Sequence, residues 1–196
     1  MTEYNTKYAF PVDIGNYSKL VDIYYNSVPK NVMPVYRYTV GSELDELRLA
    51  NPWLGDYIDY FVLYPGTTIG IHTDGYQGHS FRAVVCNIPV LNPLKTYTSW
   101  YVMPEDTEWY DPWAINKEGK TSAYKNGISL WAKPEYKPLD IPFKLETVEP
   151  IIFNTKEPHS IKNIGSAIRV LASWHTKFND YEQAKNYFNN SITDKQ

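Results

Sequence analysis

The sequence is poor in the residues that build several common kinds of site. It has one cysteine, Cys86, which excludes an internal disulfide and leaves no thiolate pair for a structural zinc site. No apolar run approaches the roughly 20 residues that span a bilayer, and the N-terminus, Met1-Thr2-Glu3-Tyr4-Asn5-Thr6-Lys7-Tyr8, lacks the apolar core of a signal peptide. A soluble, cytoplasmic protein without a membrane partner is therefore expected. Basic residues do not prevail either. The 19 Lys+Arg face 22 Asp+Glu, a formal net charge of -3, so there is no polybasic arm, and nucleic acid is a disfavoured partner because phosphate neutralisation supplies most of that affinity. With His72, His79, His159 and His175 as the only imidazoles, any metal must be held by nitrogen and oxygen ligands.

Aromatic residues, by contrast, are abundant. The 18 Tyr, 7 Phe and 6 Trp make 16% of the 196 residues, more than a disordered chain carries, so the chain is expected to fold. No repeat or Gly/Ser linker divides it, and one domain is the default at this length. Residues 1–57 read as a helical and irregular preface. Tyr17 to Tyr25 can form two helical turns, and Ser42-Glu43-Leu44-Asp45 resembles a capping box opening a helix to about Ala50, where Asn51-Pro52 ends it. From 58 to 175 the texture changes to short β-branched and aromatic runs separated by Pro, Gly, Asn and Asp. Strands are expected at 58–64, 67–73, 80–88, 97–103, 127–132, 144–153, 159–163 and 167–175. Eight short strands without intervening helices predict a mainly β sandwich or barrel. Residues 176–196 close the chain with an amphipathic helix over 180–192.

The segment Gly70-Ile71-His72-Thr73-Asp74-Gly75 places a histidine and a carboxylate two residues apart, on one face of an extended strand. His159, at the start of a predicted strand, is the best candidate for a third ligand. Two histidines and one carboxylate form the facial triad of non-haem Fe(II) oxygenases. A surface histidine beside a turn aspartate is the alternative. Arg169 adds weight, because it sits in the apolar run Ala167 to His175, where an arginine calls for an anionic partner such as the distal carboxylate of a dicarboxylate co-substrate. Arg82, in Ser80-Phe81-Arg82-Ala83-Val84-Val85-Cys86, invites the same reasoning, with a strand-end salt bridge as its alternative.

Together, His72-Thr73-Asp74, Arg82 leading into Asn87-Ile88-Pro89-Val90, and His159-Ser160-Ile161-Lys162-Asn163 followed by Arg169 resemble the Fe(II)- and 2-oxoglutarate-dependent dioxygenases, and within them the aspartyl/asparaginyl β-hydroxylase branch. The likeness covers roughly residues 58–175. It implies a double-stranded β-helix, the jelly roll or cupin-like barrel, with flanking N-terminal and C-terminal helices. It implies Fe(II) on His72, Asp74 and His159, and 2-oxoglutarate on Arg169 with Arg82 assisting. The reaction implied is hydroxylation of a C–H bond by molecular oxygen, on an amino-acid side chain in a peptide or a free amino acid, with release of succinate and CO2. Some members of the branch carry a histidine where this chain has Val84, and Asp74 argues against the related halogenases. The rival reading is a non-oxygenase cupin-like barrel that binds a metal or small ligand. The connection from Pro104 to Asn126, with Trp109, Tyr110 and Trp113, is read either as a lid that shapes substrate choice or as a passive insertion. His79 is expected to be a turn residue, His175 a structural or pocket-rim residue and Cys86 a buried thiol.

Overall fold

Alternation along the strands decides which side chains meet. The computed structural model describes residues 6–29, 35–74, 83–110 and 129–193. In chain order the described strands are β1 (Ala9–Pro11), β2 (Val35–Thr39), β3 (Leu54–Leu63), β4 (Thr68–Asp74), β5 (Val84–Leu91) and β6 (Thr96–Val102), then β7 (Trp109–Tyr110), β8 (Ser129–Ala132), β9 (Asp140–Glu146), β10 (Ile151–Asn154), β11 (His159–Asn163) and β12 (Arg169–Thr176). The helices are α1 (Lys19–Ser27), α2 (Asp45–Ala50) and α3 (Tyr181–Thr193), with a 3-10 turn at Ser42–Leu44 leading into α2. The larger sheet runs β1-β10-β5-β12-β3-β2 and the smaller β7-β8-β4-β11-β6-β9, and every pairing is antiparallel.

The chain crosses from one sheet to the other between β3 and β4, β4 and β5, β5 and β6, β9 and β10, β10 and β11, and β11 and β12. Four adjacent strands in each sheet, β10-β5-β12-β3 and β4-β11-β6-β9, wound in this alternating order, make a double-stranded β-helix. The mainly β jelly-roll class expected from the sequence is thus the class found.

Each face of the larger sheet has its own cluster. Ile58, Tyr60 and Val62 of β3, Val84, Cys86 and Ile88 of β5, and Ala172 and Trp174 of β12 pack outward against Leu20 and Ile23 of α1 and Ala184 of α3. Tyr60 Oη donates to the Leu20 carbonyl at 3.1 Å, and Trp174 Nε1 to that of Gly55 at 2.9 Å, so both large side chains bury their rings with the polar tip satisfied. Their strand neighbours point the other way. Val85, Ile151 and Phe153 meet Trp100, Leu145 and Phe143 of the smaller sheet and fill one side of the barrel interior. Arg169, Leu171, Ser173 and His175 share this inward parity on β12, as do Asp59 and Asn87 on theirs.

The sequence reading departs from this at three places. Residues 1–57 are more than a helical preface: β1 and β2 join the larger sheet as its outermost strands, and β3 begins at Leu54. The expected strand 144–153 is two strands, because the chain changes sheets at Thr147–Pro150. Ser42 makes no capping bond; the Glu43 carboxylate instead accepts from Gly41 N at 3.0 Å and Tyr38 Oη at 2.8 Å. The end of the barrel where β12 starts is stitched by Asn163, whose Nδ2 donates to the carbonyls of Leu63 at 2.8 Å and Ala167 at 2.9 Å. Among the described residues no helix is long and apolar enough to cross a membrane.

Candidate metal centre

At the opposite end β4 finishes and β11 begins, side by side. His72 and His159 are direct register partners, with ring centroids 4.2 Å apart. The Asp74 backbone N–H donates to the Thr155 carbonyl at 2.8 Å, which ties the end of β4 to the turn before β11. One ring nitrogen from each histidine and one Asp74 carboxylate oxygen lie within 4.8 Å of one another, and all three residues are buried. The structure therefore brings together the three residues that the His-x-Asp spacing and His159 pointed to.

The histidines are oriented alike. His72 Nδ1 lies 2.8 Å from the Gly70 carbonyl, and His159 Nδ1 2.9 Å from that of Glu157, in each case the residue two positions earlier. A carbonyl can only accept, so each Nδ1 carries the proton and each Nε2 presents its lone pair, which is the tautomer a metal ligand needs. Trp131 of β8 stacks on His72 at 5.5 Å and 24°, while Phe153 meets His159 edge-on at 4.9 Å. These rings fix the imidazole planes and keep water from their backs. Two imidazole nitrogens and a carboxylate oxygen suit a divalent transition metal, and the donor set fits Fe(II).

Arg169 opens β12 at the far end of the barrel. It is 1% exposed, and its Nε and Nη1 have no hydrogen-bond partner. Burial pushes its guanidinium down to about 10, against the opposing pull of the Glu146 charge. Thr96 Oγ1, on the inward face of β6, is buried and unpartnered as well, and its register partner is the Asn163 that stitches this end. A buried cation and an orphaned hydroxyl thus lie at the same end of the barrel, and a buried guanidinium of this kind calls for an anionic partner.

His175 is buried on β12, its Nε2 2.9 Å from Asp59 Oδ2, and Asp59 is also held by Arg37 through Nε at 2.8 Å and Nη2 at 3.0 Å. Cys86 is a buried thiol on the helix-covered face, its pKa pushed up by burial. Trp100 is fully buried between the sheets. Arg82, His79, Trp113 and most of the Pro104 to Asn126 connection lie outside the described residues. Sequence reasoning missed Trp131, Thr96 and Asp59. Asp59 was within reach, since a carboxylate between Ile58 and Tyr60 is as conspicuous as the arginine in β12.

No protein-family model matches the chain, and no curated protein matches it in sequence. Among solved structures it is similar to a Pseudomonas putida prolyl-4-hydroxylase, at 13% identity over 87% of this chain and 92% of that one, with a TM-score of 0.48. It is also similar to E. coli ycfD, at 11% identity over 94% and 51% with a TM-score of 0.42, and to Bacillus subtilis oxalate decarboxylase, at 9% over 76% and 27% with a TM-score of 0.35. At these values the likenesses bear on nothing beyond fold, and the fold rests on the strand order given above. They lend the aspartyl/asparaginyl β-hydroxylase branch no support.

Proposed function

We propose that the protein is a non-haem Fe(II)- and 2-oxoglutarate-dependent oxygenase that hydroxylates a C–H bond of an amino-acid side chain, in a peptide or a free amino acid. The observation that carries this reading is the pairing of two sites in one barrel: the His72, Asp74 and His159 donor set at one end and the buried, unpartnered guanidinium of Arg169 at the other. A barrel that only held a metal would have no use for Arg169, whose burial costs stability unless an anion reaches it.

His72 and His159 would each give a neutral Nε2, and Asp74 an ionised carboxylate, leaving half the coordination sphere for small molecules. Arg169 would bind the distal carboxylate of 2-oxoglutarate and so fix the direction in which its keto-acid end points. Thr96 Oγ1 would add a second bond to that carboxylate. Trp131, Phe153 and Trp100 would exclude water from the reacting end. Bound there, Fe(II) would supply the oxidising chemistry, in which O2 and 2-oxoglutarate become succinate and CO2 as one oxygen atom enters the substrate C–H bond.

The test is anaerobic titration with Fe(II) and 2-oxoglutarate, read by the weak visible charge-transfer band of the chelate, followed by a succinate assay in air. We expect the band and succinate release in the parent and neither in His72→Ala, Asp74→Ala or His159→Ala. Metal binding without 2-oxoglutarate chelation would leave the non-oxygenase barrel as the reading.

A further inference from the structure

The turn between β10 and β11, residues 155–158, holds two of the three candidate ligands. Its Thr155 carbonyl accepts from the Asp74 N–H, and its Glu157 carbonyl accepts from His159 Nδ1. The Pro158 carbonyl accepts from the Tyr101 N–H at 2.9 Å, which ties the far side of the turn to β6. The near side is held by Asn154, which is buried at the end of β10. Its Oδ1 accepts from the Lys156 N–H at 3.3 Å, its Nδ2 donates to the Lys7 carbonyl at 3.3 Å, and its backbone N–H donates to the Tyr8 carbonyl at 2.9 Å. One residue thus bonds the turn to the segment that leads into β1.

Aromatic rings make a second path between the same two places. The buried Tyr8 ring lies 5.7 Å from Trp100 and stacks on Phe143 at 5.8 Å. Trp100 lies 4.9 Å from Phe153, whose ring meets His159 edge-on. Lys7 adds an ion pair with Glu157 at 3.9 Å, but both groups are partly in water and the pair contributes little.

β1 itself is weakly built. It has three residues, lies outermost in the larger sheet and pairs with β10 alone. A short outer strand opens more readily than the strands it borders. Because the turn joins it to Asp74 and His159, opening of β1 and occupancy of the donor set draw on one equilibrium. The factor by which metal favours the docked strand is then the factor by which docking favours the metal.

We infer that β1 is a strap on the metal centre and that Asn154 is the positioning residue joining the two, so that bound metal tightens the strap and a loosened strap weakens the metal. The inference rests on the metal-centre part of the oxygenase reading, and on neither 2-oxoglutarate nor the substrate. Anything that draws β1 away from β10 would lower the affinity of the donor set.

The experiment uses the full chain and Zn(II) alone. Amide exchange of the 15N-labelled parent is followed with and without saturating Zn(II) at three places. These are the Asn154 N–H, the Val12 N–H that donates to Pro150 just past the other end of β1, and the β2–β3 ladder at the opposite edge of the same sheet. The Asn154 and Val12 amides should slow at least about fivefold more than those of the β2–β3 ladder. In Asn154→Ala and in Tyr8→Ala, Zn(II) affinity, read by competition with a chromophoric chelator, should fall by about fivefold or more. Arg37→Leu, which loosens the other edge of the sheet, should bind Zn(II) like the parent. Equal slowing at both edges, or an Asn154→Ala variant that binds Zn(II) like the parent, would overturn the inference. An equal loss of affinity in Arg37→Leu would do so too, since general destabilisation would then account for the effect. The exchange comparison on the parent stands even if a variant does not fold. A parent that binds no Zn(II) would overturn the metal centre and the strap together, whereas absence of the Fe(II) and 2-oxoglutarate band is a failure of the oxygenase reading alone.

Discussion

Arg169 puts ligand binding and stability in opposition. Because its guanidinium is depressed to about 10, the charged form is disfavoured in the folded chain, and that penalty is fully present at neutral pH and eases only as pH rises above about 10. Arg169→Met should therefore stabilise the ligand-free protein, by about 1–3 kcal/mol, while abolishing the gain in Tm that the proposed co-substrate, 2-oxoglutarate, should give the parent. Thermal melts with and without 2-oxoglutarate check both halves; a variant that melts lower alone and still responds to the ligand would contradict them. Gly70 makes a second residue-scale case. A Cβ there would meet the Trp131 ring at 3.2 and 3.3 Å, and that ring stacks on His72. Gly70→Ala should displace it and weaken Mn(II) binding by about tenfold, measured by the loss of free-ion EPR signal, with little effect on the fold. His72, Asp74 and Arg169 were legible in the sequence because a charge or imidazole within an apolar alternation is conspicuous. Trp131 was not, since an aromatic beside a run of polar residues acquires meaning only from what faces it.

Elements differ in how far local pattern specifies them. The strands of the barrel wall, β4, β5, β11 and β12 among them, were visible as apolar and β-branched runs. The outermost strands were not. The Val-Tyr-Arg-Tyr-Thr run of β2 alternates between half-buried and exposed positions, and its place in the sheet is fixed by pairing with β3, Arg37 against Asp59. That ion pair joins a half-exposed guanidinium to a fully buried carboxylate, whereas Arg48 and Asp56 meet at 2.7 Å with Asp56 largely in solvent. Arg37→Leu should cost about 1–3 kcal/mol, because it withdraws two bonds from a buried charge, and Arg48→Leu less than about 1 kcal/mol. Urea unfolding of both variants decides this, and equal losses would mean that Asp59 is sustained by His175 without Arg37.

For the whole molecule the buried acids set the alkaline limit. Burial raises Tyr60, Tyr181 and Cys86, and Tyr38 is pushed up to about 12 by burial and by its bond to Glu43. Each is an acid whose folded pKa lies above its unfolded one, so its contribution is complete below the unfolded value and is lost as pH climbs toward the folded one. The denaturation free energy should begin to fall near pH 9, where an unfolded cysteine ionises, and steepen beyond 10 as tyrosines follow. Chemical denaturation in steps from pH 8 to 11 measures the slope, and a stability that stays flat to pH 11 would refute it. The barrel class could be anticipated from strand count and spacing, but the winding order could not, because it depends on pairings between distant runs such as β3 with β12. The same long reach governs the donor set. His72 and Asp74 are synthesised long before His159, and no ion that requires all three can be captured until β11 has emerged and threaded between β4 and β6. Every copy thus passes through a stage during its making in which the three-residue donor set is incomplete, and the site can be filled only once β11 has paired.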